Sequence, residues 1–307
     1  MGMILRIASS RIVGQGDIVG RSGYFSLNLS ANSVMRGRLD ARRTLKSLVA
    51  DLRQNISTRI MDTYFEPNDA IGLYVASGSG FASTGNYINN VRCLYTSSAI
   101  WQPDTELYWK DETTASDFYA YYPYSSEITD ATALDFQIKV DQSAVENYKQ
   151  SDFVWGRTMS VQPTEKAVSI QTRHLMSNLV IEILPGNGFT QEKLDAANVK
   201  VKVDGLQTAA QINLSDGALT ANGETATLYP YYTNRQYKLL TVPQTTSAPA
   251  TITVTVDGSN FKLQKSLSTQ SGHRYTLPIT VNKTSNGINV NIDDWIDDGI
   301  DNGGVAE

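Results

Sequence analysis

Cysteine and histidine, which form disulfides and bind metals, are scarce in this chain of 307 residues. Cys93 is the single cysteine, so an intramolecular disulfide is excluded and the fold depends on core packing. The two histidines, His174 and His273, lie far apart in the sequence and form no cluster with the spacing of a zinc site. No run of about 18 apolar residues is present, which excludes a transmembrane helix from the sequence.

Motifs for the common kinds of enzyme chemistry are also missing. No glycine-rich phosphate loop follows a strand and opens a helix, no G-x-S-x-G elbow occurs, and no carboxylate pair stands out for glycoside hydrolysis. The acidic stretch 291–304 has the composition of a calcium loop but lacks its spacing and closing Glu, which favours a solvated tail. The sequence therefore predicts a protein that is not an enzyme and needs no metal or cofactor, with an enzyme of unknown type as the alternative.

Charge is divided unevenly along the chain. Residues 1–60 hold 10 Arg and Lys against 3 Asp, a net charge of +7, and residues 61–307 hold 16 against 28 acidic residues, a net of −12, which sum to the net charge of −5. A basic segment is one sign of nucleic-acid binding. Here the basic residues are scattered among apolar ones, without aromatic stacking partners or a known motif, so no nucleic-acid partner is predicted.

Aromatic residues and short alternating runs dominate the rest of the sequence. The chain has 16 Tyr, 8 Phe and 4 Trp, and between residues 64 and 124 apolar and polar residues alternate over short runs that turn residues separate. This pattern is typical of half-buried antiparallel strands, which aromatic and β-branched residues favour. Asp-Gly pairs at 204–205, 216–217 and 257–258 predict tight turns. The predicted fold class is therefore all-β.

Residues 1–57 form a predicted leader, or pro-segment, ahead of the body. Its stretch YFSLNLSA alternates cleanly, with Phe25, Leu27 and Leu29 on one face, which predicts a strand. The stretch 39–54 places its leucines on one stripe with Arg and Lys on the other face, which predicts a short helix.

Two β-sandwich domains are predicted after the leader, over residues 58–162 and 163–299, with a tail at 300–307. Many short strands at roughly ten-residue spacing are typical of such sandwiches. The polar stretch TMSVQPTEK, which contains Pro163, predicts the boundary between the domains. The stretch WQPDTELYWKDE predicts a hairpin that turns at Pro103, and FTQEKLDAA predicts a short helix or an irregular crossing.

Ten short stretches of the body occur in an order and spacing that a known family shares. They are Phe65 with NDAIGLYV (68–75), YW (108–109), DFYAYYPY (117–124), DQ (141–142), SDFVWG (151–156), VSIQTRHLMSNLVIEI (168–183), PQ (243–244), VDG (256–258), GHRYTLPITV (272–281) and INVNIDDW (288–295). Through them the chain, over about residues 56–298, resembles the fimbrillin family of Bacteroidales. That family comprises the subunits of protease-matured surface fimbriae and their accessory proteins.

The resemblance implies two transthyretin-like β-sandwich domains, export as a lipoprotein precursor, and a place in a fimbrium at the outer membrane and cell surface. It implies that an Arg-specific protease removes an N-terminal strand, after which another pilin subunit donates a strand to the vacated groove by β-augmentation. In this chain the removable strand is 24–31, with Tyr24, Phe25, Leu27 and Leu29. The candidate processing sites are Arg36, Arg38, Arg42, Arg43, Arg53 and Arg59.

A tip or accessory role is the alternative to a stalk role. The N-terminal MGMILRIASSRIVG lacks the pattern of a signal peptide, no lipidation Cys precedes the body, and few residues follow Trp295 to act as a donated strand. The stretch DFYAYYPY offers a contact surface for a host glycan or protein, because alternation sends Tyr119 and Tyr121 to one face and Phe118 and Tyr122 to the other. Ordinary sheet packing of these rings is the competing interpretation.

Overall fold

The computed structural model describes three short strands near the N-terminus and most of the body. The described residues are 23–27, 44–45, 48–49, 65–98, 100–164, 168–284 and 287–292. Side chains are described between residues 65 and 282 of these ranges. In this part of the chain no helix has the length and hydropathy needed to cross a bilayer. The tail predicted at 300–307 and the acidic stretch around Trp295 lie outside the described residues.

Strands make up most of the regular structure, which confirms the predicted all-β class. In chain order the strands are β1 (Gly23–Leu27), β2 (Thr44–Leu45), β3 (Leu48–Val49), β4 (Ala70–Ser77), β5 (Ile88–Tyr95), β6 (Ile100–Pro103), β7 (Leu107–Tyr108), β8 (Ser116–Tyr122), β9 (Leu134–Gln137), β10 (Val154–Val161), β11 (Val168–His174), β12 (Ser177–Pro185), β13 (Val199–Asn213), β14 (Ala218–Leu228), β15 (Tyr231–Thr233), β16 (Gln236–Thr241), β17 (Ala250–Val256), β18 (Ser259–Lys265), β19 (Arg274–Thr284) and β20 (Gly287–Ile292). The helices are α1 (Val145–Gln150) and α2 (Gln191–Ala196). Helix α2 lies in the stretch FTQEKLDAA, so the short helix is the correct one of the two alternatives there. The hydroxyl of Thr190 caps it by accepting a hydrogen bond from the Lys193 amide at 3.3 Å.

Eight strands close into a continuous sheet, in the order β1-β11-β10-β8-β4-β5-β6-β3. All neighbouring pairs are antiparallel, and β3 completes the ring because it pairs with both β1 and β6. Alternation along the strands sends one set of side chains into a common core, which we call the inner core. It comprises Ile71, Leu73, Val75, Ile88, Cys93, Tyr95, Trp101, Leu107, Trp109, Phe118, Ala120, Val168 and Ile170.

Two further sheets form a sandwich in the C-terminal half. The first has the order β15-β16-β12-β19-β20, in which β12 and β19 are parallel and the other pairs antiparallel. The second has the order β14-β13-β17-β18, all antiparallel. Fully buried side chains of both sheets, such as Leu179 and Ile279 of the first and Val203 and Ile252 of the second, belong to one hydrophobic cluster. This cluster is the sandwich core.

The sandwich core extends to the closed sheet. Tyr119, Tyr121 and Trp155, whose side chains leave the closed sheet on its outer face, belong to the same cluster as the sandwich. Strand β9 pairs with β13 of the sandwich. The buried amide of Gln142 also accepts a hydrogen bond from the Leu240 amide at 2.9 Å and donates to the Leu240 carbonyl at 2.8 Å. The side chain of Gln142 thereby takes the place of a strand residue at the edge of β16.

The chain passes from the closed sheet to the sandwich at Leu175 and Met176, between β11 and β12. The boundary predicted at residue 163 instead separates β10 from β11, although these strands pair with each other, as Val154 does with His174. A polar connection that contains proline has the same composition between two strands of one sheet as between two domains. Composition alone therefore placed the boundary one strand too early.

The leader contains strands where a helix is predicted. Thr44–Leu45 (β2) pairs with β7, and Leu48–Val49 (β3) lies between β1 and β6, so the predicted helix over 39–54 is wrong at these residues. Leucines spaced for one face of a helix can also lie in short strands. This happens when neighbouring strands supply backbone hydrogen-bond partners. Tertiary pairing here overrides the local preference.

Two of the predicted turns are also replaced. Strand β6 ends at Pro103 and pairs with β5 and β3, whereas β7 pairs with β2, so no hairpin forms there. The Asp-Gly pair at 204–205 lies inside the continuous strand β13, where a register shift before Leu206 marks a bulge. The pair at 257–258 forms the predicted two-residue hairpin between β17 and β18, with positive φ angles of 46° and 85°.

We expect Cys93 to resist alkylation in the folded protein. Its side chain is fully buried in the inner core, and burial raises the pKa of the thiol, so the reactive thiolate is both inaccessible and disfavoured. Treatment with iodoacetamide at about pH 8 should give no adduct by intact mass in native buffer and a single adduct in denaturant. Rapid native alkylation would contradict the burial of β5.

Candidate functional site

The first strand of the leader is part of the closed sheet. We call β1 the leader strand. It pairs with β11 over five registered positions, from Gly23 opposite Thr172 to Leu27 opposite Val168. On its other side, Ser26 and Leu27 pair with β3. The leader strand therefore lies between a strand of the body and a second strand of the leader.

The register assigns the alternating positions of the leader strand to faces. Partners that lie directly opposite in an antiparallel pair share one face of the sheet. On β11 the inward side chains are Val168, Ile170 and Thr172, which are 2%, 0% and 3% exposed. Phe25 is in register with Ile170. The apolar positions of the leader strand thus fall on the face of the inner core.

Strand β11 divides its length between two partners. Residues 168–172 pair with the leader strand and residues 172–174 pair with β10, so the two ladders overlap at Thr172 alone. β10 comes close at Gly156, where an added Cβ would collide with the Gln171 carbonyl oxygen. Beyond this point the contact between the two strands includes the hydroxyl of Thr158, which donates to the Ser169 carbonyl at 2.6 Å. The leader strand is thus the main ladder partner of the first half of β11.

The C-terminal end of β11 is fastened to the body by several polar contacts. His174 Nδ1 lies 2.7 Å from a carboxylate oxygen of Asp152, and the Ser271 hydroxyl donates to the His174 carbonyl at 3.4 Å. The next amide, that of Leu175, donates to the Phe153 carbonyl at 2.7 Å. These contacts fix the end of β11 that is paired with β10.

Three side chains of β10 and β11 hold a turn of the sandwich. The indole of Trp155 donates to the Leu214 carbonyl at 2.9 Å and packs against Gly217, in the turn between β13 and β14. The guanidinium carbons of Arg173 and Arg157 lie 4.7 Å and 5.8 Å from the centroid of this indole ring. Such distances are typical of cation–π contacts. We call Trp155, Arg157 and Arg173 the tryptophan clamp.

The two arginines of the clamp also donate to the turn directly. Arg157 donates to the Ser215 carbonyl at 2.6 Å, and Arg173 to the Asp216 carbonyl at 3.5 Å. Burial lowers the pKa of Arg173, the neighbouring positive charge of Arg157 lowers it further, and Asp216 opposes both effects. Since an arginine remains protonated at any physiological pH, Arg173 keeps its charge.

The other two leader strands pair with body strands other than β11. Leu48 is in register with Trp101, a fully buried residue of the inner core. Leu45 is in register with Leu107, which is 4% exposed. The leader thus contributes strand partners to β6 and β7 as well as to β11.

The possible contact surface at Tyr119 and Tyr121 is buried in the described structure. The two side chains are 3% and 1% exposed, and burial raises the pKa of both phenols. Tyr119 packs against Phe81, with ring centroids 4.4 Å apart, and the Tyr121 hydroxyl donates to Asn90 at 2.7 Å. Strand β8 is covered on both faces, because the other row of its side chains lies in the inner core. Ordinary sheet packing is therefore the correct interpretation of these rings.

Several predicted site residues lie outside the described residues. They are Leu29 and the candidate processing sites Arg36, Arg38, Arg42, Arg43, Arg53 and Arg59. Between residues 65 and 282 no group of acidic, His or Cys side chains could hold a metal ion. The sequence did not single out β11 as the partner of the leader strand. Its alternation of Val168, Ile170 and Thr172 matches that of the leader, but alternation does not specify which strands pair.

The family of the chain follows from its match to known proteins. The model of the family described as Fimbrillin-like matches residues 58–295. This chain belongs to the fimbrillin-like family. The match confirms the resemblance drawn from ten short stretches of sequence. A fimbrillin-like protein is a subunit of a surface fimbrium. The matched region begins after the three leader strands, at the residue where the body is predicted to start.

Relatives of this fimbrillin-like protein occur in Bacteroides. A protein of Bacteroides uniformis named as the fimbrium subunit Fim1C is 25% identical over 268 residues, which cover 83% of this chain and 86% of the relative. A crystal structure from Bacteroides uniformis, described as a cell adhesion protein, has a TM-score of 0.61 at 22% identity and covers 76% of this chain and 93% of its own. One from Bacteroides ovatus, described in the same words, has a TM-score of 0.59 at 16% identity and covers 78% and 90%. The two structures establish the fold.

We expect Gly156→Ala to destabilise the protein by about 1–3 kcal/mol, because the added methyl group would force β10 away from the Gln171 carbonyl. Gly80→Ala is a matched control, since an added Cβ there would meet no atom within 4 Å. It should change the free energy of unfolding by less than about 0.5 kcal/mol. Urea denaturation monitored by tryptophan fluorescence measures both. Equal effects of the two substitutions would contradict the close approach of β10 to β11.

Proposed function

We propose that this fimbrillin-like protein assembles into a fimbrium by exchange of its leader strand for a strand of a neighbouring subunit. Cleavage within the leader by an Arg-specific protease would release the leader strand. The single observation that carries the proposal is that the leader strand completes the closed sheet by pairing with β11. A strand held between partners by backbone hydrogen bonds and alternating apolar positions is replaceable by another strand of the same pattern.

Before cleavage the closed sheet would offer no edge to a neighbouring subunit. A sheet that closes on itself has no edge to offer to another chain, whereas an open sheet exposes backbone groups that pair readily. Loss of the leader would leave β11 as one edge and β6 as the other. Val168 and Ile170 of the inner core would also lose the strand with which they are in register. Cleavage would thus convert a protected monomer into a subunit with a defined receiving edge.

The position of the cut decides how far the sheet opens. A cut within 36–43 separates the leader strand from the body, whereas β2 and β3 stay attached to the body. A cut at Arg53 or Arg59 separates all three strands and frees the edge of β6 together with that of β11. We therefore assign productive processing to Arg53 or Arg59. The start of the family match at residue 58 supports this assignment.

The proposed partners are other subunits of the fimbrium and the processing protease, at the cell surface and outer membrane. The share of the chain in the family match, together with the fimbrium-subunit relative, supports this setting. The aromatic row considered as a contact surface for a host ligand is buried in the described structure.

Limited digestion with an Arg-specific protease tests the proposal. We expect intact-mass analysis to show loss of the leader at Arg53 or Arg59, with the body resistant and folded by circular dichroism. Size-exclusion chromatography should then show oligomers, because the open edges of β11 and β6 pair with strands of other subunits. The double variant Arg53→Gln/Arg59→Gln should form fewer oligomers after the same treatment, because β3 stays attached and still covers the edge of β6.

The fourfold variant Arg36→Gln/Arg38→Gln/Arg42→Gln/Arg43→Gln is the matched control, and its body should oligomerise like the unsubstituted chain. A cleaved body that stays monomeric when mixed with further cleaved subunits would overturn the proposal. So would oligomers that form equally well without cleavage.

A further inference from the structure

We propose that Arg173 is a positioning residue, which acts through the indole of Trp155 to hold β11 in place once the leader strand has left. The inference rests on the proposed exchange of the leader strand and deepens it, because it names what keeps the receiving edge ordered between the loss of one strand and the arrival of the next.

The division of β11 between two partners creates the need for such a residue. With the leader strand present, ladder pairing covers the whole of β11. Without it, ladder pairing is confined to residues 172–174 on β10. The hydroxyl of Thr158 and the burial of Val168 and Ile170 remain as attachments of the first half. A short ladder held at one end leaves the receiving edge close to local unfolding.

Arg173 lies in the part of β11 that stays attached. Its guanidinium carbon is 4.7 Å from the centroid of the Trp155 indole, and it reaches the Asp216 carbonyl of the β13–β14 turn. Trp155 is itself fixed in that turn by its hydrogen bond to Leu214, which is 1% exposed. Arg173 therefore ties β11 directly to the sandwich core, independently of the leader.

The second arginine of the clamp provides an internal comparison. Arg157 faces the same indole and the same turn, but it belongs to β10. That strand pairs with β8 at five successive positions, from Val154 to Thr158, whether or not the leader is present. Arg157 thus contacts the same indole and the same turn as Arg173 without being needed to hold the receiving edge.

A receiving strand that is already ordered binds its partner more tightly, since less conformational entropy is lost on association. Cation–π contacts and a hydrogen bond at a half-exposed site are worth enough to change a dissociation constant about fivefold to tenfold. We expect Arg173→Ala to weaken capture of a strand by about this factor. The effect should appear after cleavage and not before it, because in the uncut chain the leader strand itself holds β11.

The test uses the full chain with an added cleavage site between residues 32 and 35. A protease that does not cut at arginine recognises this site. After cleavage, a fluorescent synthetic peptide of residues 21–31 is added in excess. Its capture is measured by fluorescence anisotropy. Hydrogen exchange of the amides of 168–171 is followed by mass spectrometry before and after cleavage. Arg173→Ala, Arg173→Lys and Arg157→Ala are compared with the unsubstituted sequence.

The expected result is peptide capture about fivefold to tenfold weaker for Arg173→Ala, a smaller loss for Arg173→Lys, and little change for Arg157→Ala. The cleaved Arg173→Ala chain should exchange faster at 168–171, while the uncut one should match the unsubstituted chain. Arg173→Lys carries the test should Arg173→Ala fail to fold, since it keeps the charge and loses the planar contact with the indole.

Three outcomes overturn the inference in distinguishable ways. If the unsubstituted cleaved chain captures the peptide and Arg173→Ala captures it equally tightly, Arg173 has no positioning role and strand exchange stands. If Arg173→Ala accelerates exchange equally in cut and uncut chains, its role is a general structural one. If the unsubstituted chain captures no peptide at all, the strand exchange on which the inference rests fails as well.

Discussion

Backbone hydrogen bonding along β11 is the constraint on which the arrangement depends. Buried amide and carbonyl groups have to be paired, and β11 satisfies this requirement with two neighbours, one from the leader and one from the body. The inward side chains of β11 complete the inner core on the same segment that the leader strand covers. Pairing and burial therefore coincide at one strand, and any segment that replaces the leader has to satisfy both.

The aromatic strands in the middle of the chain build the support behind this site. Strands β4 and β8 are covered on both faces, with one row of side chains in the inner core and the other in the sandwich core. The side chains of Tyr119 and Tyr121 thus pack the closed sheet against the sandwich. Trp155 extends the same row onto β10 and reaches the turn of the sandwich. The receiving edge is thereby attached to the largest body of packed side chains in the described structure.

Sequence reasoning succeeded where local chemistry decides the conformation. The hairpin at Asp257 and Gly258 requires two residues with positive φ, and few residue pairs other than Asp-Gly adopt them readily. The all-β class and helix α2 follow from alternation and capping, which are also local. The same reasoning failed at Gly205, where the same residue pair forms a bulge because β17 and β14 pair with β13 on both sides of it.

The candidate site shows the same division between local and non-local information. The strand character of the segment with Phe25 and Leu27 is visible in its alternation, and its partner is not. The helix predicted over 39–54, at the residues of β2 and β3, and the possible contact face of Tyr119 fail for one shared reason. In both, distant strands supply the partner or the cover, and a single sequence without aligned relatives contains no signal for contacts of that range.

The buried amide of Gln142 has a mechanical consequence. It joins the segment between β9 and α1 to the edge of β16, and β9 itself pairs with β13. Tension that pulls the closed sheet away from the sandwich would therefore be shared by these hydrogen bonds. It would not act on the chain connection at Leu175 alone. A filament made of such subunits would resist extension within each subunit, and its compliance would reside at the junctions between them.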